Sequence, residues 1–304
     1  KHVLVEKPMA ITLDECTTMV DACNRASVHL LVGHSHSFDA PVRSLHGMVA
    51  DGRFGRVRMI TAAYFTDFLY RPRRPEELDT RSGGGVVLSQ GAHQIDIIRL
   101  LGGGMVRSVR AFTGAWDASR PTEGAYSALL GFDNGAFCSA TYSGFGHYDG
   151  DALMGDIGET GLPKDPTSYG AARRRLQTAL TPDSEASLKA ARNYGGPMYT
   201  GSPGLPDDLA YEHFGHIIVS CDKADLRPTP KGVEIYADDQ RRTLSLEPPT
   251  VPRSEVMDEL FAAVKFDKRA IHDGAWARAT TEVCLAILES SRTGGEQTLQ
   301  HQVA

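Results

Sequence analysis

The chain has 304 residues, 41% hydrophobic and 23% charged, which is enough for one large globular domain or two ordinary ones and argues against disorder. A net charge of -6 leaves no basic footprint for nucleic acid, and no apolar run approaches the roughly 20 residues that span a bilayer. Five scattered cysteines without metal-type spacing predict reduced thiols, a cytoplasmic protein and no bound metal.

Val3-Leu4-Val5 reads as a buried strand ending in Glu6-Lys7-Pro8. An amphipathic helix is expected over 11–25, with Thr12 as N-cap and Glu15 three residues later, and a second buried strand over 28–32 ends at Gly33. Strand, helix, strand at this spacing is a βαβ unit of a parallel sheet. Two such strands make a poor sheet, so the chain is expected to be an N-terminally truncated piece.

The pattern then changes. A helix is expected over 41–50, a strand over 57–65, a charged loop over 71–81 and a helix after Gly83-Gly84-Gly85 that stops at Gly102 to Gly104. Strands follow over 106–113, 125–132 and 136–142, with the hairpin signal Asp133-Asn134-Gly135 between the last two. Residues 147–211 read as a long Gly- and Pro-rich insertion with one helix near 171–180. Strands over 216–221, 233–236 and 242–246 and helices over 256–264 and 275–290 complete the pattern. The expected architecture is α/β: residues 1–34 as the last part of a Rossmann-type parallel sheet, and residues 35–304 as an α+β domain. That second domain carries a large, mainly antiparallel open sheet and C-terminal helices within 253–292.

Ser89, His93 and Asp96 fall at i, i+4 and i+7, which places them on one face of a regular helix. The preceding glycines allow close backbone approach and leave helix N-terminal amides open to a polar group. A histidine there is either a general base or a half-buried side chain satisfied by a neighbour. Lys7, at the carboxyl end of a strand, is either a ligand-facing ammonium or a strand-end lysine reaching water. His213 and His216 lack the accompanying ligands of a zinc site, and Trp116 and Trp276 read as packing residues.

VEKPMA, VGHSHSFDAPV and GGGVVLSQGAHQID, taken together and in order, resemble the glucose–fructose oxidoreductase / inositol dehydrogenase (Gfo/Idh/MocA) family of nicotinamide-dependent dehydrogenases. The resemblance implies NAD or NADP as cofactor, a small-molecule substrate and a homo-oligomer (dimer or tetramer) formed through the open sheet. It implies catalytic roles for Lys7 and His93, with Glu6, Lys7 and Pro8 on the cofactor side. No Gly-x-Gly-x-x-Gly follows a strand and opens a helix in this chain. Residues 1–304 alone are therefore expected to bind NAD weakly and to be inactive.

Two positions depart from the family pattern. Ser89 stands where many members carry an aspartate that orients the histidine, and Ser37 stands where an arginine is usual, with His34 and His36 nearby. The stretch TDFLYRPRRPEELDTRSGGGVVLSQGAHQID is similar to phthalate dihydrodiol dehydrogenases of aromatic-compound catabolism. On that reading Arg71, Arg73 and Arg74 supply guanidinium forks to ring carboxylates, and His34, His36, Ser89, Gln90 and Asp96 line the substrate site. The alternatives are a sugar, inositol or polyol dehydrogenase, and a non-catalytic ligand-binding or assembly protein on the same fold.

Overall fold

The computed structural model describes residues 1–33, 35–178, 182–199 and 208–303. Strand β1 (Val3–Glu6), helix α1 (Leu13–Arg25) and strand β2 (Leu30–Gly33) form a two-stranded parallel βαβ unit, paired from Val3↔Leu30 to Glu6↔Gly33. Thr12 caps α1 as expected. Its hydroxyl accepts from the Glu15 amide, and the Glu15 carboxylate accepts from the Thr12 amide, which completes a capping box. β2 is buried but β1 is not: Val3 and Leu4 are 37% and 40% exposed. Among the described residues β1 has a single strand neighbour, so the expectation of a buried first strand fails.

The remainder builds one nine-stranded sheet. Helix α2 (Ala40–Ala50) leads to strand β3 (Val57–Phe65); after a charged loop come helix α3 (Ala92–Leu101) and strands β4 (Val106–Gly114), β5 (Ala125–Phe132) and β6 (Phe137–Ser143). The insertion holds helices α4 (Ala171–Leu176) and α5 (Pro182–Ala190), one more than expected, and residues 179–180 of the expected single helix lie outside the described residues. Strands β7 (His216–Cys221), β8 (Ala224–Thr229), β9 (Gly232–Ala237) and β10 (Arg241–Ser245) follow, then helices α6 (Ser254–Phe266) and α7 (Gly274–Thr293) and strand β11 (Gln297–Thr298). The sheet order is β10-β9-β8-β7-β3-β6-β5-β4-β11. All pairings are antiparallel except β3 with β6, at the centre. A chain of simple hairpins does not describe this middle.

One face of the sheet packs on helices. Ile95, Ile98 and Leu101 of α3 are fully buried, roughly 2 kcal/mol each, which holds α3 in place despite glycines at both ends. The register puts Met59, Phe112, Leu129 and Phe137 on the opposite face, where all four are exposed. Trp116 is 71% exposed and is not a core residue, whereas Trp276 is buried. All five cysteines are unpaired. No helix among the described residues is long and apolar enough to cross a membrane.

Candidate active site

Lys7 follows directly on β1, half-buried, and its Nζ donates to the Ser89 carbonyl just upstream of α3. Burial pushes this ammonium down to about 8; the Glu159 and Glu6 carboxylates oppose the shift and Arg73 adds to it. The small βαβ unit is thereby tied to the segment that carries His93. Glu6 beside it is exposed and Pro8 half-buried.

That segment is not a regular helix. Val87–Gly91 forms a π turn before α3 begins at Ala92. The wider turn shifts the register, so the three residues expected on one face part company. The Ser89 hydroxyl turns back to the Gly85 carbonyl. Gln90 gives its Nε2 to the Ser89 carbonyl at 3.2 Å and keeps Oε1 buried without a hydrogen bond. Asp96 is fully buried on the α7 side, where it accepts from Ser37 Oγ, Trp276 Nε1 (2.6 Å) and Thr280 Oγ1 (3.0 Å). Asp96 is therefore a brace between helices rather than a substrate ligand, and Ser37 belongs to the same brace. The helix N-terminal amides expected to be open are also occupied, since Glu123 Oε1 accepts from the Val87 amide at 3.1 Å. Burial holds that carboxyl above its ordinary value. Gly85, at φ +79°, must be glycine because a Cβ would overlap the Glu123 carboxylate.

His93 faces an aromatic wall set by strand register. Tyr64, Tyr142 and Tyr126 are direct cross-strand neighbours on the inner face of β3, β6 and β5. Each hydroxyl is satisfied: Tyr64 on Asp151 (2.7 Å), Tyr142 with Thr66 (2.8 Å) and Tyr126 on Gln94 (2.8 Å). Phe214 packs on Tyr64 and Tyr142 and also meets the His93 ring, centroids 5.2 Å apart. The His36 ring lies edge-on to His93 at 4.8 Å.

Around His36 gather Asp39, Glu159 and Glu212, with Arg71 behind Glu159. Burial alone would lower His36, but Asp39 and Glu159 outweigh it and push the imidazole up to about 9. Burial raises Asp39 to about 6 against the pull of His36. Burial would also raise Glu159, yet His36, Arg71 and Lys7 hold it at about 2. Lys7, Glu159 and His36 thus form one charged cluster at the seam between the βαβ unit and the sheet, and the His93 ring lies edge-on to its His36 member.

The three arginines separate. Arg71 pairs with Asp67 (3.2 Å) and Glu159 (3.6 Å) and borders a cavity of about 570 Å³ whose other basic side chains include Lys164, Arg173 and Arg192. Arg73 lies over the Phe68 ring (3.5 Å) and donates to the Phe68 carbonyl, and burial lowers it to about 10. Arg74 is exposed and held by Glu76 and Glu77. Arg71 pairs with the cluster directly through Glu159, Arg73 acts on Lys7 only by its charge, and the turn at Pro75–Leu78 draws Arg74 outward. His34 lies outside the described residues. His213 is bonded to backbone, at Ile157 O (2.8 Å) and the Gly215 amide (3.1 Å).

Glu159, Asp39, Glu212 and Phe214 were not visible as site residues. Glu159 sits in the Gly-rich insertion, where no periodicity marks it, and Asp39-Ala40-Pro41 signals only a helix start. Lys7 stands at a strand's carboxyl end, where open parallel sheets bind ligands, and the glycine fingerprint for pyrophosphate is not among the 304 residues.

Residues 1–34 match the oxidoreductase-family NAD-binding Rossmann fold, and residues 42–158 match the GFO/IDH/MocA C-terminal domain. The chain is 46% identical, over 96% of its length and 73% of the relative's, to 1-carboxy-3-chloro-3,4-dihydroxycyclohexa-1,5-diene dehydrogenase of Comamonas testosteroni. A solved structure from Bordetella bronchiseptica RB50, classed as a dehydrogenase, superposes with TM-score 0.90 at 41% identity, covering 98% of this chain and 77% of that one. The WlbA dehydrogenase of Bordetella pertussis, solved with NADH and UDP-GlcNAcA, shares the fold at TM-score 0.59 and 20% identity, covering 99% and 72%. The chain belongs to the Gfo/Idh/MocA family of NAD(P)-dependent dehydrogenases.

Proposed function

We propose that the enzyme containing this chain oxidises the CH–OH group of a carboxylated cyclohexadiene cis-dihydrodiol. The observation that carries the reading is the Lys7–Ser89 contact, which brings the ammonium to the segment leading into His93. Lys7 Nζ would donate to the reacting oxygen and orient it, and the His93 ring would accept the hydroxyl proton. NAD or NADP, when bound, supplies the acceptor for the hydride leaving the same carbon. The Tyr142–Phe214 wall beside His93 excludes water. The ketone formed enolises to an aromatic catechol, which draws the oxidation forward.

Two features favour a carboxylated ring over a neutral polyol. Arg71 stands between Glu159 and a cavity of mixed charge in which Arg173, Arg175 and Arg192 also lie, and the Comamonas relative's name specifies a carboxylated dihydroxycyclohexadiene. The test is a panel on the full-length enzyme followed by NADH absorbance: carboxylated dihydrodiols are expected to exceed inositol and glucose in kcat/KM at least tenfold. A polyol turning over faster would overturn the substrate class. The exposed face bearing Phe112, Leu129 and Phe137 is the expected oligomer contact. Light scattering of Leu129→Asp is expected to give a smaller species than the parent chain.

A further inference from the structure

We infer that His36, Asp39 and Glu212 form a binding site for a single divalent cation beside His93. His36 Nδ1 lies 3.5 Å from Asp39 Oδ2 and 3.7 Å from Glu212 Oε2, and the three donor atoms all fall within 4.8 Å of one another. Two ligand atoms each about 2.1 Å from a tetrahedral ion stand about 3.4 Å apart, close to the two separations from His36 Nδ1.

The second observation is burial without satisfaction. His36 is 1% and Asp39 3% exposed, and neither Nδ1 nor Oδ2 makes a hydrogen bond. The two groups face each other as a buried ion pair without a hydrogen bond, and a divalent cation that displaces the Nδ1 proton would take a lone pair from each. Glu159 Oε1 stands 3.8 Å from the other ring nitrogen, Nε2, so Nδ1 is the ring nitrogen turned towards Asp39 and Glu212. Glu212 is oriented from behind by Arg253 Nε, at 3.0 and 3.2 Å from its two oxygens. A cavity of about 10 Å³ lined by Asp39, Tyr211, Glu212 and Arg253 adjoins the cluster and has room for about one water-sized ligand.

One imidazole and two carboxylates suit zinc or manganese. Three protein ligands leave a coordination position for water or a substrate oxygen, next to the histidine that Phe214 and His36 enclose. The ligands come from the segment after β2, the N-cap of α2 and the segment before β7, which is why no local spacing in the sequence reveals them.

The test uses the full-length enzyme stripped with EDTA, titrated with ZnCl2 and separately with MnCl2 by calorimetry, with metal content after dialysis read by mass spectrometry. One equivalent per chain is expected for at least one ion, with affinity at least tenfold weaker in Asp39→Asn and in Glu212→Gln. Circular dichroism checks that each variant is folded. Glu212→Gln, at the less buried ligand, decides the matter if Asp39→Asn does not fold. Less than a tenth of an equivalent of either ion in the parent enzyme, or undiminished binding by Glu212→Gln, overturns the site.

Discussion

The βαβ unit and the nine-stranded sheet hold their shapes by different means. The sheet closes its own core: α3 and α7 bury one face, and Ile95, Ile98 and Leu101 have no exposed surface to speak of. The βαβ unit has two strands, one of them exposed, and a small cluster of Met9, Cys16, Leu30 and Val32 that depends on Ala277 of α7. Its polar ties to the rest include the Lys7–Ser89 contact, the Val32 amide on the His272 carbonyl at 3.0 Å and Arg278 on Thr17 at 3.3 Å. The comparison teaches that the residue proposed for the chemistry from the smaller unit is also one of its attachments, which would couple binding and docking at Lys7.

The largest expected effect lies on the sheet side. Asp96→Ala leaves the Ser37, Trp276 and Thr280 donors buried without their acceptor, and should cost about 3 kcal/mol in denaturant unfolding. A loss under 0.5 kcal/mol would show that Asp96 is no brace. Next, hydrogen exchange should separate the two regions: β1 and α1 amides exchange well before those of β3, β5 and β6. Equal protection would mean the βαβ unit is as firmly held as the sheet.

The Lys7 ammonium sharpens the comparison through pH. Its folded value, about 8, lies below the ordinary 10.5. Between those values the unfolded chain binds the extra proton, so this group's contribution to stability rises with pH across that window and is least favourable below about 8. The kcat/KM of the free enzyme should correspondingly fall as pH climbs through about 8, where Lys7 loses its proton. A profile flat to pH 10 would remove Lys7 from the reaction. The smallest effect is at the capping box: Thr12→Ala should cost about 1 kcal/mol, or leave global stability untouched if α1 unfolds separately.

Much of this was legible in the residues. The α1 capping box, the bounds of β3, β5 and β7, and the turn at Gly135 follow from periodicity and turn chemistry. β8 was hidden by Pro228. That proline pairs with Val233 of β9, and on its other side β7 pairs with β8 only through Leu226 and Asp225, so position 228 lies past the β7 ladder. The π turn was not legible, because a spacing rule assumes 3.6 residues per turn, and its presence sent Ser89 and Asp96 to other tasks. Glu159 and Glu212 join the cluster only through tertiary folding of the insertion and of the segment before β7.

The account stands on Lys7 and His93 acting at one seam. Steady-state turnover of His93→Ala, Lys7→Met and the double variant in the full-length enzyme tests this most directly. Each single change is predicted to lower kcat at least a hundredfold, with the double variant far less impaired than the product of the two, since groups acting on one oxygen are not additive. Single variants within a few-fold of the parent, or losses that simply multiply, would contradict it.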